Sequence, residues 1–86
     1  MFEVILSPEA KTFFARADRP LARKLARSFA QLERDPRRHN NIKRLTGALA
    51  GRWRYRVGDY RVLCQILDNK LIVLVVAVGH RGKVYR

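Results

Sequence analysis

Arg52, Arg54 and Arg56 recur at every second position of the segment from Arg52 to Val57, with Trp53, Tyr55 and Val57 between them. Arg61 follows after Gly58-Asp59-Tyr60, and the last eight residues read Gly79-His80-Arg81-Gly82-Lys83-Val84-Tyr85-Arg86. A guanidinium is planar, stays charged at any physiological pH and offers paired N–H donors, so its natural partner is an oxyanion held through two oxygens. The tail adds an imidazole, whose ordinary pKa lies near neutrality, and a phenol that can stack or donate. A solvated surface does not by itself call for so single-signed a run, in which Asp59 is the one nearby acid. Phosphate is the anion that fits, and nucleic acid is its natural source.

The charge of the whole chain agrees. Its 86 residues carry 19 Lys and Arg against 7 Asp and Glu, a net +12. Residues 1 to 36 hold seven basic and five acidic side chains, whereas residues 37 to 86 hold twelve basic and two acidic, so the second part carries +10. A field of that size implies a polyanionic partner. No zinc-finger, P-loop or other ligand motif of known spacing is present, and neither metal nor cofactor is expected. Cys64, alone in an apolar run, has no internal partner and reads as a small buried hydrophobe, which fits a reducing compartment. The N-terminus lacks a signal-peptide pattern, and the longest apolar run, Leu71 to Val78, is too short to span a bilayer. A cytoplasmic protein without membrane attachment is expected, as one domain over residues 1–86.

These chemical groups need a scaffold. Phe2 to Leu6 reads as a short strand, and Ser7-Pro8-Glu9 as the cap and first turn of a helix. Ala10, Phe13, Phe14 and Ala17 then share one helical stripe. Asp18 and Pro20 open a second helix whose apolar face is Leu21, Leu25, Phe29 and Leu32, with Arg23, Lys24, Arg27 and Arg34 directed outward; Asp35-Pro36 ends it. Two helices so close in sequence pack as a hairpin and need a sheet against their joint apolar face. The sheet is supplied by Arg52 to Val57, Tyr60 to Leu67 and Lys70 to Val78, joined by turns at Gly58-Asp59 and Asp68-Asn69. The expected class is α+β, in the order β-α-α-β-β-β.

A two-residue loop at Gly58-Asp59 sets Val57 opposite Tyr60 and Arg56 opposite Arg61. Trp53, Tyr55, Val57, Tyr60, Val62 and Cys64 then face the helices, while Arg52, Arg54, Arg56, Arg61 and Gln65 line the other face. Like charges directly opposite on a sheet are unfavourable, so Arg56 beside Arg61 costs stability unless an anion answers it. A sheet surface suits a single strand with splayed, stacking bases better than a duplex, which favours RNA. If Asp68-Asn69 is also a two-residue turn, Leu63, Leu74, Val76, Val78 and His80 join the arginine face and Arg81 falls on the helix face. A bulge or twist near Gly79, or a different turn register, would reverse that.

Lys43-Arg44-Leu45-Thr46-Gly47, Trp53-Arg54-Tyr55-Arg56, Gly58-Asp59-Tyr60-Arg61-Val62 and the ending Val78-Gly79-His80-Arg81-Gly82-Lys83-Val84-Tyr85-Arg86 together resemble the RelE family of toxin–antitoxin systems, within the wider RelE/ParE superfamily. The resemblance extends over essentially the whole chain. It implies a toxin that cuts messenger RNA in the ribosomal decoding site without a metal and so stops translation, and it implies an acidic antitoxin protein as partner, beside mRNA and ribosomal RNA.

By the resemblance, Arg54 and Arg56 match the family's basic pair on the first long strand, Arg61 its phosphate-binding arginine, Arg81 its catalytic arginine and Tyr85 its C-terminal tyrosine. Lys43, Arg44, Arg52 and Lys83 extend the expected RNA-binding set. The stretch from Arg81 to Tyr85 is shorter than in some members, and a C-terminal helix found in them has no counterpart here. Guanidinium groups are poor bases, so positioning must contribute heavily to any cleavage, with His80 the candidate proton shuttle. His39, beside Asn40 and Asn41, reads as a loop residue. Two other functions fit the same basic face: a ParE-like inhibitor of DNA gyrase, and an RNA-binding module without catalysis.

Overall fold

In the computed structural model, residues 1–37 and 41–80 are described. Strand β1 (Glu3–Leu6) leads into helix α1 (Pro8–Arg16) and helix α2 (Arg19–Arg34), followed by strands β2 (Ile42–Arg44), β3 (Trp53–Val57), β4 (Tyr60–Leu67) and β5 (Ile72–His80). Both helix starts follow from the sequence. Ser7 and Asp18 are extended N-caps whose side chains accept from the Ala10 and Leu21 amides, and each helix has proline in its first turn. Such caps satisfy amides that the helix itself leaves open, and a first-turn proline has no amide to lose.

The sheet order is β1-β5-β4-β3-β2, with β1 parallel to β5 and every other pair antiparallel. This is the α+β arrangement expected, with one element more: the three-residue β2 pairs with β3 at the sheet edge. Its sequence, Ile-Lys-Arg, is too short to carry a period of its own, and only pairing along β3 makes it a strand. The helices cover one face. Ala10, Leu25 and Leu32 meet Tyr55, Val57, Val62, Cys64, Val73, Val75 and Val78 in a single buried cluster. Cys64 is fully buried there, and burial pushes its thiol up to about 12, so it acts as a hydrophobe and not as a nucleophile.

The two hairpins differ. In β3–β4 the Gly58-Asp59 loop places Val57 opposite Tyr60 and Arg56 opposite Arg61, with Gly58 at φ 58°. A glycine with positive φ at the first loop position gives the strands the twist they need. In β4–β5, Leu67 pairs with Ile72, so the loop is Asp68 to Leu71 in place of the expected Asp68-Asn69. A 3₁₀ turn over Asp68–Lys70 closes on Leu71, a non-glycine residue at φ 53°. Two added loop residues leave the alternation of faces unchanged.

What changes the alternation is a bulge. Leu63 pairs with Ala77 but Cys64 pairs with Val75, which leaves Val76 unmatched. Ser7 holds it in place: its amide donates to the Val75 carbonyl at 2.9 Å and its hydroxyl to the Val76 carbonyl at 2.6 Å, while the same oxygen caps α1. An extra residue in one strand turns every later side chain to the other face. Val78 therefore joins the core, and His80 pairs with Tyr60 on the helix side. Both had been expected on the arginine face. The reversal does come from a bulge, three residues before the Gly79 position considered for it.

Candidate nucleic-acid interface

The face of the sheet away from the helices is built chiefly by β3 and β4. Arg56 stands directly across from Arg61, Arg54 across from Leu63, and Lys43 across from Arg54. The amide of Arg56 donates away from β4, to the Asn41 carbonyl at 3.0 Å. Arg56 and Arg61 thus form a non-hydrogen-bonded pair, the kind that brings two side chains closest, with Cα atoms about 4.5 Å apart. Two guanidinium groups so placed repel each other unless an anion lies between them.

Nothing in the described part of the protein supplies that anion. Among the described residues the one ion pair is Arg37 with Asp68, at the far end of the sheet. The Arg37 guanidinium holds the Asp68 carboxyl below its usual range through two 2.8 Å hydrogen bonds, and lies 5.3 Å from the Trp53 ring. Arg56 touches only a neutral group, the Asn41 side-chain oxygen at 3.3 Å. Arg54 is half-buried, and its Nε–H is enclosed without an acceptor. A buried donor left unmade costs on the order of 1–3 kcal/mol. The cationic cluster is held in a form that a bound oxyanion would stabilise.

Leu63 is buried on this same face, between Arg54 and Ala77. Long arginine stems cover apolar sheet surface while keeping their charged heads at the rim. Towards β1 the surface changes character: Gln65, Leu74 and Ile5 form one cross-strand row, and Leu67, Ile72 and Glu3 the next. The apolar members of the open face are therefore Leu63, Leu67, Ile72, Leu74, Ala77 and Ile5. Val78 is not among them, and Val76 is the bulge residue.

Of the residues expected to act on RNA, the structure gathers Lys43, Arg54, Arg56 and Arg61 on one face. Arg52 immediately precedes β3 and ties the loop, its carbonyl accepting from the Leu45 amide at 3.0 Å. Arg44 does not join them, because it pairs with Trp53 and so shares the helix-side alternation. His80 is likewise apart. Its ring stacks edge-on against Tyr60 at 5.4 Å, and Tyr60 against Phe13 at 5.9 Å, lining a groove of about 1010 Å³ with Glu9, Thr12 and Arg16. His39, Arg81, Lys83 and Tyr85 lie outside the described residues. No group of three or more His, Cys, Asp or Glu placed to hold a metal occurs among the described residues.

Two features of the site were missed in the sequence. Asn41, given no role in the sequence reading, positions Arg56 through both backbone and side chain. Ser7, read only as a helix cap, also fixes the bulge that sets which residues of β5 reach the open face. The spacing of Ser7-Pro8-Glu9 identifies the cap, but no local pattern shows a contact to a strand 69 positions away.

The comparisons with known proteins agree with this architecture. The family described as "ParE toxin of type II toxin-antitoxin system, parDE" matches residues 4–85. Toxin RelG of Mycobacterium tuberculosis is 39% identical over 59 residues, covering 69% of this chain and 66% of that protein. The toxin–antitoxin complex RelBE2 of the same organism contains a chain that superposes with a TM-score of 0.79 at 32% identity, covering 93% of this chain and 98% of that one. A chain of the archaeal RelE–RelB complex from Pyrococcus horikoshii reaches a TM-score of 0.82 at 19% identity, over 96% of this chain and 98% of its own, and shares the fold. With the family pattern spanning nearly the whole chain and a toxin of that kind matching it in sequence and in fold, the protein belongs to the RelE/ParE superfamily of type II toxin–antitoxin toxins.

Proposed function

We propose that this toxin is an endoribonuclease that cuts messenger RNA on the ribosome and thereby stops translation, with no metal ion in the reaction. The observation that carries the reading is the Arg56/Arg61 pair with Arg54 beside it: three arginines share one open sheet face and make no ion pair with a carboxylate among the described residues. In the cleavage, the ribose 2′-oxygen attacks the adjacent phosphorus while the 5′-oxygen of the next nucleotide leaves, and negative charge grows on the phosphoryl oxygens. Arg61 and Arg56 are placed to stabilise that charge, and Arg54 and Lys43 to hold the flanking phosphates. Arg81 and Tyr85 complete the set by resemblance. His80 lies on the other face of the sheet from this charge cluster.

The same face serves the partner. RelBE2 is solved as a toxin–antitoxin complex, and the P. horikoshii protein as a RelE–RelB complex. For this chain we propose an acidic antitoxin whose carboxylates answer Arg54, Arg56 and Arg61 and whose apolar side covers Leu74 and Ile5. The matched family is described as a ParE toxin, and a ParE-like inhibitor of DNA gyrase is the second reading. One experiment separates the two: purified toxin added to translating ribosomes, with mRNA 5′ ends mapped, beside a gyrase supercoiling assay. New 5′ ends with unaffected supercoiling support the ribonuclease; intact mRNA with blocked supercoiling reverses the assignment.

A further inference from the structure

A second cationic site lies round the edge of β3 from the arginine face. Lys24, Ser28 and Gln31 of α2 stand at positions i, i+4 and i+7, with Arg27 beside them, and with Asn41, Tyr55, Arg56 and Gly58 they line a pocket of about 250 Å³. Its floor is neutral and already satisfied: the Tyr55 hydroxyl donates to Gln31 Oε1 at 3.0 Å and the Ser28 hydroxyl to the Lys24 carbonyl at 2.9 Å. Among the described residues its walls carry three cations, Lys24, Arg27 and Arg56, and no carboxylate. Arg56 belongs to both sites, since it stands across from Arg61 on the open face and is drawn to this edge by Asn41.

We propose that this pocket binds a second backbone phosphate of the same RNA strand, so that the strand passes from Arg61 over Arg56 and off the edge of β3 into the cleft beside α2. The proposal rests on the RNA-cleaving reading and adds a path to it. Strand spacing of about 5 Å places Arg56 one step nearer the pocket than Arg61, so the three positions form a continuous cationic track. A phosphate held here, away from the bases, contributes affinity without sequence preference.

The test is anisotropy binding of a fluorescein-labelled, fully 2′-O-methyl RNA dodecamer, which cannot be cleaved through its 2′-hydroxyl, at several salt concentrations. The Lys24→Gln/Arg27→Gln double variant should bind several-fold more weakly whatever the sequence, and its log–log salt slope should fall by about 0.7 if one phosphate contact is lost. Lys24→Arg, which keeps the charge, should retain the slope; comparing it with Lys24→Gln keeps the test decisive if the double variant folds poorly. An unchanged slope in the double variant, with Arg61→Ala still abolishing cleavage, overturns the pocket and leaves the ribonuclease reading intact. Unchanged RNA binding together with weakened binding of the acidic antitoxin would assign the pocket to the protein partner and also overturn the proposal. If the double variant and Arg61→Ala leave both RNA binding and mRNA cleavage unaltered, both readings fall.

Discussion

The two hairpins of the sheet share β4 and almost the same left-handed turn angle, yet they are built on opposite principles. At β3–β4 the positive φ of 58° falls on Gly58, the loop is two residues and the ladder runs without interruption. At β4–β5 a φ of 53° falls on Leu71, the loop is four residues and the ladder slips at Val76. A left-handed residue with a Cβ costs about 1–2 kcal/mol, which the second hairpin bears and the first avoids. The difference follows what each hairpin does. The regular one holds two arginines in opposition, and the irregular one is secured from outside by Ser7 and turns its end towards the helices. Charge opposition needs a local, rigid register, whereas the direction of a strand end can be set by a tertiary contact.

The sharpest way to test the first hairpin is to remove its charge. Arg61→Ala should leave the fold intact and lower mRNA cleavage by about 10²–10³, or about 2.7–4 kcal/mol, by analogy with loss of an oxyanion donor. Cleavage in a ribosome assay, with toxicity at equal expression, reads it. Full activity of an Arg61/Arg56 double alanine variant would show that the opposed pair is structural and that the reaction lies elsewhere.

The second hairpin is best attacked through its fastening. Ser7→Ala removes a helix cap, worth about 0.5–2 kcal/mol, and leaves the Val76 carbonyl without its 2.6 Å donor. A loss of about 2 kcal/mol in urea unfolding is expected, together with faster amide exchange around Val76. A loss of about 1 kcal/mol, the typical cost of a helix cap alone, with amide exchange around Val76 unchanged, would mean that the bulge holds itself.

Gly58→Ala should cost less, about 1 kcal/mol, and for a different reason. A Cβ at Gly58 meets nothing within 4 Å, so the cost is conformational and not steric. Thermal unfolding measures it. If Gly58→Ala is neutral, the turn has relaxed, and the Arg56/Arg61 register should be seen to loosen in the RNA-binding slope.

The contrast between the hairpins also explains how far the sequence could be read. The Arg-Trp-Arg-Tyr-Arg alternation and the Gly58-Asp59 loop are local, so they yield the β3–β4 register and the arginine face correctly, residue by residue. Helix starts at Ser7 and Asp18 were legible for the same reason. The β4–β5 hairpin was not: Asp68-Asn69 carries a turn signal but not the four-residue length of the loop, and the Val76 bulge is held by Ser7, at the end of the neighbouring strand β1. Parity carried along β5 therefore placed Val78 and His80 on the wrong face. The side of the sheet taken by Arg44 could not be read, because β2 exists only by pairing with β3.

The smallest expected effect is the most informative about that reversal. On the alternation read from the sequence, His80 would share the face of Arg56 and Arg61 and could carry a proton to or from the reacting oxygens. In the folded chain it pairs with Tyr60, packs edge-on against its ring at 5.4 Å, and looks into the groove beside Phe13 and Arg16. A proton can be passed only between groups within hydrogen-bond reach or through one water, and the sheet itself separates this imidazole from the arginine pair. His80→Gln should therefore leave both the rate of mRNA cleavage and its pH profile unchanged, with at most a slight loss of stability from the edge-on ring contact. The measurement is a cleavage rate followed from about pH 5.5 to 7.5, the range in which an imidazole ordinarily titrates. A profile that flattens in the variant would mean that the end of β5 turns over when RNA binds, and that the bulge at Val76 is a point of movement in the reaction and not a fixed feature of the fold.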